Sequence, residues 1–255
     1  MFVIALVLGG ILVPLQTQIE SRNYDQTQRI LEQAREALLG YAAAYGYLPC
    51  PADYGFVSGG AESTTSNHTT GVCDNAGANS VLGGATTGVY IGYFPAVTLG
   101  FTPTDSNGYA LDAWGLTQNR IRYAVSFTTI SGSGTTNAFT RINGMRSAGM
   151  SNIMNTTLLS VCNTGTGTTN TGCASAATTL TSNAVAVIWS LGANAATTGG
   201  AAPHESHNAE FLPASNRTFV KRDLSKVAGA EYDDVVTWIS PPMLFNRLLA
   251  AGQLP

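Results

Sequence analysis

The first fifteen residues, Met1–Leu15 (MFVIALVLGGILVPL), carry no charge and no polar side chain, and they run directly into a long polar stretch with helical patterning. A helix that is apolar on every side must be buried in lipid, in a large core or against copies of itself. At about 1.5 Å per residue the segment spans roughly 22 Å, short of the ~30 Å hydrocarbon core of a bilayer. A secretory signal peptide opens with basic residues and closes on a small-x-small cleavage site, and neither flanks this segment. Between Gln16 and Tyr45 the apolar residues Ile30, Leu31, Ala34, Ala37, Leu38, Tyr41, Ala42 and Tyr45 recur at steps that place them on one helical face. Arg22, Asp25, Arg29, Glu32 and Arg35 alternate in sign on the other face. Gly46 and Pro49 supply a helix stop. The pattern predicts one helix over Met1–Tyr45, about 68 Å long. Gln16–Gln28 offers only Ile19 and Tyr24 as large apolar groups and is expected to stand clear of any core.

Two residue sets follow. Phe2, Val3, Ile4, Leu6, Val7, Leu8, Ile11, Leu12, Val13, Pro14 and Leu15 form the candidate assembly surface. Ile30, Leu31, Ala34, Leu38, Tyr41 and Ala42, with Trp114, are the candidate contacts between helix and head. Gly9, Gly10 and Pro14 weaken a soluble helix, but such breakers are tolerated where lipid or neighbouring helices surround the backbone.

The rest of the chain is unusually poor in charge. Of 255 residues, 11% are charged, against roughly 25% in an average soluble domain, and the net charge is −3. That excludes a nucleic-acid protein held by a broad basic patch. The 44% hydrophobic content excludes a charge-driven disordered chain. Small polar groups replace the ions: the chain has 31 Thr, 17 Asn and 28 Gly, and its only lysines are Lys221 and Lys226. From Ala124 to Gly200, Arg141 and Arg146 are the only charged residues. A hydroxyl- and amide-covered surface of this kind suits an extracellular or polymerised protein.

Strand-like runs occur at Gly88–Tyr93, Arg120–Thr128, Ala184–Leu191 and Arg217–Val220, and a short helix is expected over Pro242–Ala251. Arg120–Phe127 alternates with period two, the pattern of a strand with one wet face, whereas Ala184–Trp189 is continuously apolar, as in a covered central strand. A helix followed by several strands predicts an α+β fold with an antiparallel sheet packed on the helix. Residues 1–48 then form the assembly helix and residues 49–255 the head, with a Thr/Asn/Gly-rich insert over about residues 126–183. The four cysteines, Cys50, Cys73, Cys162 and Cys173, allow three disulfide connectivities. The local one, Cys50–Cys73 with Cys162–Cys173, is expected; zinc is the rival, and the absence of C-x-x-C spacing counts against it.

Candidate chemistry is sparse. His204-Glu205-Ser206-His207 lacks the spacing that puts two histidines on one metal, and His68 lies in a Thr/Ser loop read as solvated. Asp112-Ala113-Trp114-Gly115 reads as a turn, with Asp112 capping a backbone donor and Trp114 packing on the helix. Glu210, Glu231, Asp233 and Asp234 offer oxygens for calcium. Asn67, Asn155 and Asn216 open N-x-S/T sequons and are read as exposed.

Leu48-Pro49-Cys50-Pro51-Ala52, Tyr93-Phe94-Pro95-Ala96, Asp112-Ala113-Trp114-Gly115, Asn119-Arg120-Ile121-Arg122-Tyr123, Trp189-Ser190-Leu191-Gly192-Ala193-Asn194 and the tail Asp233–Pro255 follow the apolar helix in order. In that order the chain resembles the type IV pilin and type II secretion pseudopilin family. The resemblance implies a pilin-like fold, a mature chain whose apolar helix starts further upstream, and a calcium loop after Ser-Leu-Gly, where Asn194 stands at the family's acidic position. It also implies a subunit anchored in the inner membrane, handled by assembly machinery there, and then polymerised with itself into a cell-surface filament. No enzyme activity and no cofactor are expected, calcium apart. The type IV pilus subunit is the leading reading, with a secretion pseudopilin or a minor tip pilin as its near relative. The rival class is a membrane-anchored adhesin that uses the Thr-rich insert. A secreted hydrolase would need a compact acid–base constellation that these residues do not offer.

Overall fold

The computed structural model describes residues 2–54, 58–73, 88–195, 203–208 and 216–254, with side chains from Gln18 onward. The N-terminal pattern forms one helix, α1 (Phe2–Tyr45), which continues through Gly9, Gly10 and Pro14. Gly46 ends it at φ +80°, and Gly46 N–H bonds back to the Ala42 carbonyl at 2.7 Å.

The head is α+β. In chain order its elements are β1 (Val89–Tyr93), α2 (Ala96–Leu99), β2 (Arg122–Ser126), α3 (Gly144–Ala148), α4 (Met150–Met154), β3 (Leu159–Cys162), β4 (Thr179–Ala184), β5 (Ala186–Ser190), β6 (Thr218–Val220), β7 (Val235–Ile239) and α5 (Pro241–Ala250). The order β1-β2-β5-β7 makes a four-stranded sheet, antiparallel throughout. A second sheet has the order β4-β3-β6, with β3 and β6 parallel.

Alternation along the central strands explains the layering. On β5, Ala186 and Ile188 join Leu31, Leu38 and Ala42 of α1 in one core, while Val187 and Trp189 join Leu159, Val161 and Phe219 of the second sheet in another. The main sheet is therefore covered on both faces, by α1 and α5 on one side and by β3 and β6 on the other. Each fully buried leucine on α1 contributes about 1.5–3 kcal/mol to this packing.

The continuous apolar pattern at Ala184–Trp189 does mark a covered strand, and α5 starts within a residue of its expected position. The wet face expected for Arg120–Phe127 does not exist, since every residue of β2 is buried. Its polar side chains are accommodated instead. Arg120 lies 4.3 Å over the Tyr109 ring and donates from Nε and Nη2 to Asp105 Oδ2 at 2.8 and 2.6 Å. Arg122 donates from Nη1 to the Arg120 carbonyl at 3.0 Å. The Asp105 carboxyl, although desolvation raises its pKa, is held below its usual value by the Tyr109 N–H and by Arg120. The region read as a Thr-rich insert supplies β3 and β4, and β3 with β6 covers the outer face of the main sheet.

Both local disulfides form, Cys50–Cys73 and Cys162–Cys173. Cys50 joins the core beside α1, and Cys162 closes the end of β3.

Candidate functional site

The eleven residues proposed for assembly, Phe2 to Leu15, lie outside the described side chains, though the backbone there is helical. Among the described residues no helix is long and apolar enough to cross a membrane.

Of the expected contacts between helix and head, Leu31, Ala34, Leu38 and Ala42 are buried in the core and Ile30 packs partly against it. Tyr41 is half-buried, its ring 4.4 Å from Tyr45 and 5.9 Å from Tyr47. The head reaches further along α1 than apolar spacing implied. Thr27 is fully buried and its Oγ1 accepts the Ala113 N–H at 3.1 Å, and Tyr24 packs on the core edge. A polar contact anchors this part of the helix, which an apolar count does not register. Ile19 is 54% exposed.

Where α1 leaves the head there is a cavity of about 270 Å³. Tyr24 and Glu20 of α1 form one wall, and Trp114, Leu224, Glu231 and Asp233 close it. Trp114 is half-buried and lines this cavity, so its place is beside the helix and not within the core. An ion pair between Lys226 and Glu20 ties the head to α1 at the cavity's edge.

Asp112 holds this region together. Its Oδ1 accepts the Trp114 N–H at 2.9 Å and the Gly115 N–H at 3.4 Å, while Oδ2 accepts Asn119 Nδ2 at 2.9 Å and the Ser190 hydroxyl. The expected turn cap is thus also a link between the turn and β5. Burial pushes its pKa up against these hydrogen bonds.

Asp233 of the cavity wall also belongs to a cluster with Glu205 and Asp234, in which one carboxylate oxygen of each lies within 4.8 Å of the others. Asp233 and Asp234 belong to the set considered for calcium; Glu205 joins them, Glu231 sits on the cavity wall, and Glu210 lies outside the described residues. Asn194 Nδ2 donates to both Glu205 oxygens, at 3.2 and 3.0 Å, and the Asp233 N–H donates to Glu205 Oε1 at 3.1 Å. The Glu205 oxygens thus already accept protein donors, and Asp233 Oδ2 accepts the Asn194 N–H at 3.0 Å, while Asp233 Oδ1 has no hydrogen-bond partner among the described residues. Proximity of acids does not by itself make a metal centre. Desolvation, and then the Glu205 charge, push the Asp233 carboxyl up to about 7.

Two readings of single residues are corrected. His68 is not a solvated loop residue. Its Nδ1 lies 2.8 Å from the Thr140 carbonyl, its Nε2 lies 3.0 and 3.2 Å from the two Glu62 oxygens, and the Tyr47 ring sits 4.3 Å away. Asn216 is not an exposed sequon. It is fully buried, and its Nδ2 donates to the Thr218 carbonyl at 2.9 Å, whereas Asn67 and Asn155 are exposed. His204 is buried and its Nδ1 accepts the Gly165 N–H at 3.1 Å, a structural role. The Thr140 and Gly165 partners come from loops far apart in the chain, and the near ones, Glu62 and Thr218, belong to no motif that would announce them. Comparison with protein-family models, with curated proteins and with solved structures finds no match.

Proposed function

We propose that the chain is the structural subunit of an extracellular, type IV pilus-like filament that polymerises through the apolar start of α1. The observation that carries this reading is the continuity of α1. A single 44-residue helix binds the head through the face that starts at Tyr24 and Thr27, and its first fourteen residues, Phe2–Leu15, are wholly apolar. An anchor that merely tethered a head would not need to be rigidly continuous with the helix inside it. A filament does, because each head must be held in a fixed relation to a central helical bundle. Burying such a segment among copies offers on the order of tens of kcal/mol before entropy. The contact is heterologous and does not close, so it propagates. Before assembly the same segment rests in the inner membrane, where the assembly machinery takes it up. A secretion pseudopilin or tip pilin uses the same physics, and the adhesin reading keeps the helix as a tether alone.

The test is electron microscopy of material sheared from cells that make the chain with Leu6→Arg or Leu12→Arg. Filaments are expected from the wild type and none from either variant, while the head still folds and both disulfides form. Filaments at wild-type yield from the variants, or none from the wild type, refute the reading.

A further inference from the structure

Residues 58–73, between α1 and β1, are held to the head mainly by polar contacts. Apart from glycine, their only apolar members are Ala61, Val72 and Cys73, and Val72 is exposed. Cys73 is bonded to Cys50, and both are fully buried. The other anchors are hydrogen bonds. The Glu62 N–H donates to Thr98 Oγ1 and Glu62 Oε2 accepts the Cys50 N–H, both at 2.8 Å. The His68 carbonyl accepts the Ile142 N–H at 2.8 Å, and the Gly71 carbonyl accepts the Thr140 hydroxyl at 2.6 Å. A segment with so little buried apolar surface opens at a lower free energy than the core around it.

The His68 ring ties these anchors together. Its Nδ1 meets the Thr140 carbonyl and its Nε2 meets the Glu62 carboxylate, so each nitrogen faces an acceptor. A neutral imidazole carries one N–H. Loss of the proton therefore turns a lone pair toward either Thr140 or Glu62, and Glu62 is the group that also holds the Cys50 N–H beside the disulfide. The other groups around the pair keep their charge state. The Tyr47 ring lies 4.3 Å from His68, with Tyr41 and Tyr45 of α1 beside it. Tyr123 of β2 is within electrostatic reach of Glu62, and Tyr90 of β1 donates to Asn137 on the loop that carries Thr140. Phenols ordinarily titrate near about pH 10, and burial raises Tyr41, Tyr90 and Tyr123 further. Arg141 is exposed next to Thr140, and a guanidinium does not titrate in proteins.

We propose that residues 58–73 form a pH-sensitive flap, held closed around the Cys50–Cys73 disulfide by the twice hydrogen-bonded His68 imidazolium and freed to open when that proton is lost. The device does not depend on how the apolar start of α1 is used.

The test is reduction of the full chain, in detergent, by a water-soluble phosphine, which converts a disulfide to two thiols as it takes up oxygen from water. Thiol labelling and peptide mass give separate rates for Cys50–Cys73 and Cys162–Cys173. Wild type and His68→Asn are compared at each pH, which cancels the pH dependence of the reagent. At about pH 5.5 the variant is expected to lose Cys50–Cys73 at least about tenfold faster than wild type, equivalent to about 1.4 kcal/mol, with equal rates at Cys162–Cys173. The gap closes as the pH rises through the folded pKa of His68. Equal Cys50–Cys73 rates at acid pH, or a gap that persists unchanged to about pH 9, overturn the proposal. Should His68→Asn accelerate both disulfides, Glu62→Gln takes its place, since it keeps an acceptor for the Cys50 N–H and removes the charge that faces His68. The same acceleration confined to Cys50–Cys73 supports the flap, and acceleration of both disulfides again, the mark of global opening, overturns it.

Discussion

The His68–Glu62 contact makes a sharp prediction about pH. Both ring nitrogens face atoms that only accept, the Thr140 carbonyl at Nδ1 and the Glu62 carboxylate at Nε2. A neutral imidazole donates from one nitrogen only, so the geometry calls for the imidazolium. Desolvation works against that charge, but the Glu62 hydrogen bond, the Thr140 bond and the Glu62 charge outweigh it, and the pKa is raised. A histidine whose folded pKa is raised stabilises fully below its unfolded value of about 6.5, and that stability is lost as pH rises through the folded pKa. The pair is mostly shielded, with side-chain exposures of 15% and 21%, so a charged hydrogen bond of about 1.5–3 kcal/mol applies with little loss to screening. For a chain of this size each kcal/mol moves the melting temperature by about 2–4 °C. At about pH 5.5 wild type should therefore melt roughly 3–12 °C above His68→Asn, and the gap should narrow as the pH rises through the folded pKa of His68. Asp233, with its pKa near 7, loses stability over the same range, and subtracting the variant's curve removes that shared part. The destabilised region is local and identifiable, because Glu62 Oε2 also accepts the Cys50 N–H at 2.8 Å just beyond α1. Parallel curves for wild type and variant would refute the imidazolium assignment.

Other substitutions test other parts of the fold. Asp112→Ala removes the acceptor for two backbone N–H groups, Asn119 and Ser190. At about 1–3 kcal/mol per orphaned buried donor, it should cost more than about 3 kcal/mol in denaturant unfolding; a smaller loss would show that water replaces the carboxylate. Replacing Cys162 and Cys173 together by alanine opens a short loop, with an expected cost of about 3 kcal/mol and new protease cleavage between them. Unchanged protease resistance would show that β3 holds the loop without the crosslink.

What was legible in the chain were features whose signal is local and repetitive. The α1 helix follows from its periodicity, the covered strand β5 from its unbroken apolar run, and the disulfide pairing from short separations that match the folded contacts. The alternation in β2 was misleading because a polar residue in a strand reports a polar neighbour, and that neighbour need not be water. Arg120 finds Asp105 and the Tyr109 face inside the protein. His68 and Asn216 were misread for a related reason, as loop composition describes the average exposure of a segment and not the partner of one side chain. The cavity at the exit of α1 had no sequence signal, since its walls come from four separate stretches of chain.

By itself, the sequence determined that the helix opens on a wholly apolar stretch, and that its amphipathic continuation would bury one face under a sheet. Those outcomes depend on solvation and helical period, which any short window carries. Only the tertiary structure decided that a second sheet covers the outer face, that Thr27 and not an apolar residue receives Ala113 of the head, and that Glu20, Glu231 and Asp233 meet beside Trp114. Such meetings are long-range: loop closure brings the partners together, and the cost of burying unpaired polar groups decides which partners remain.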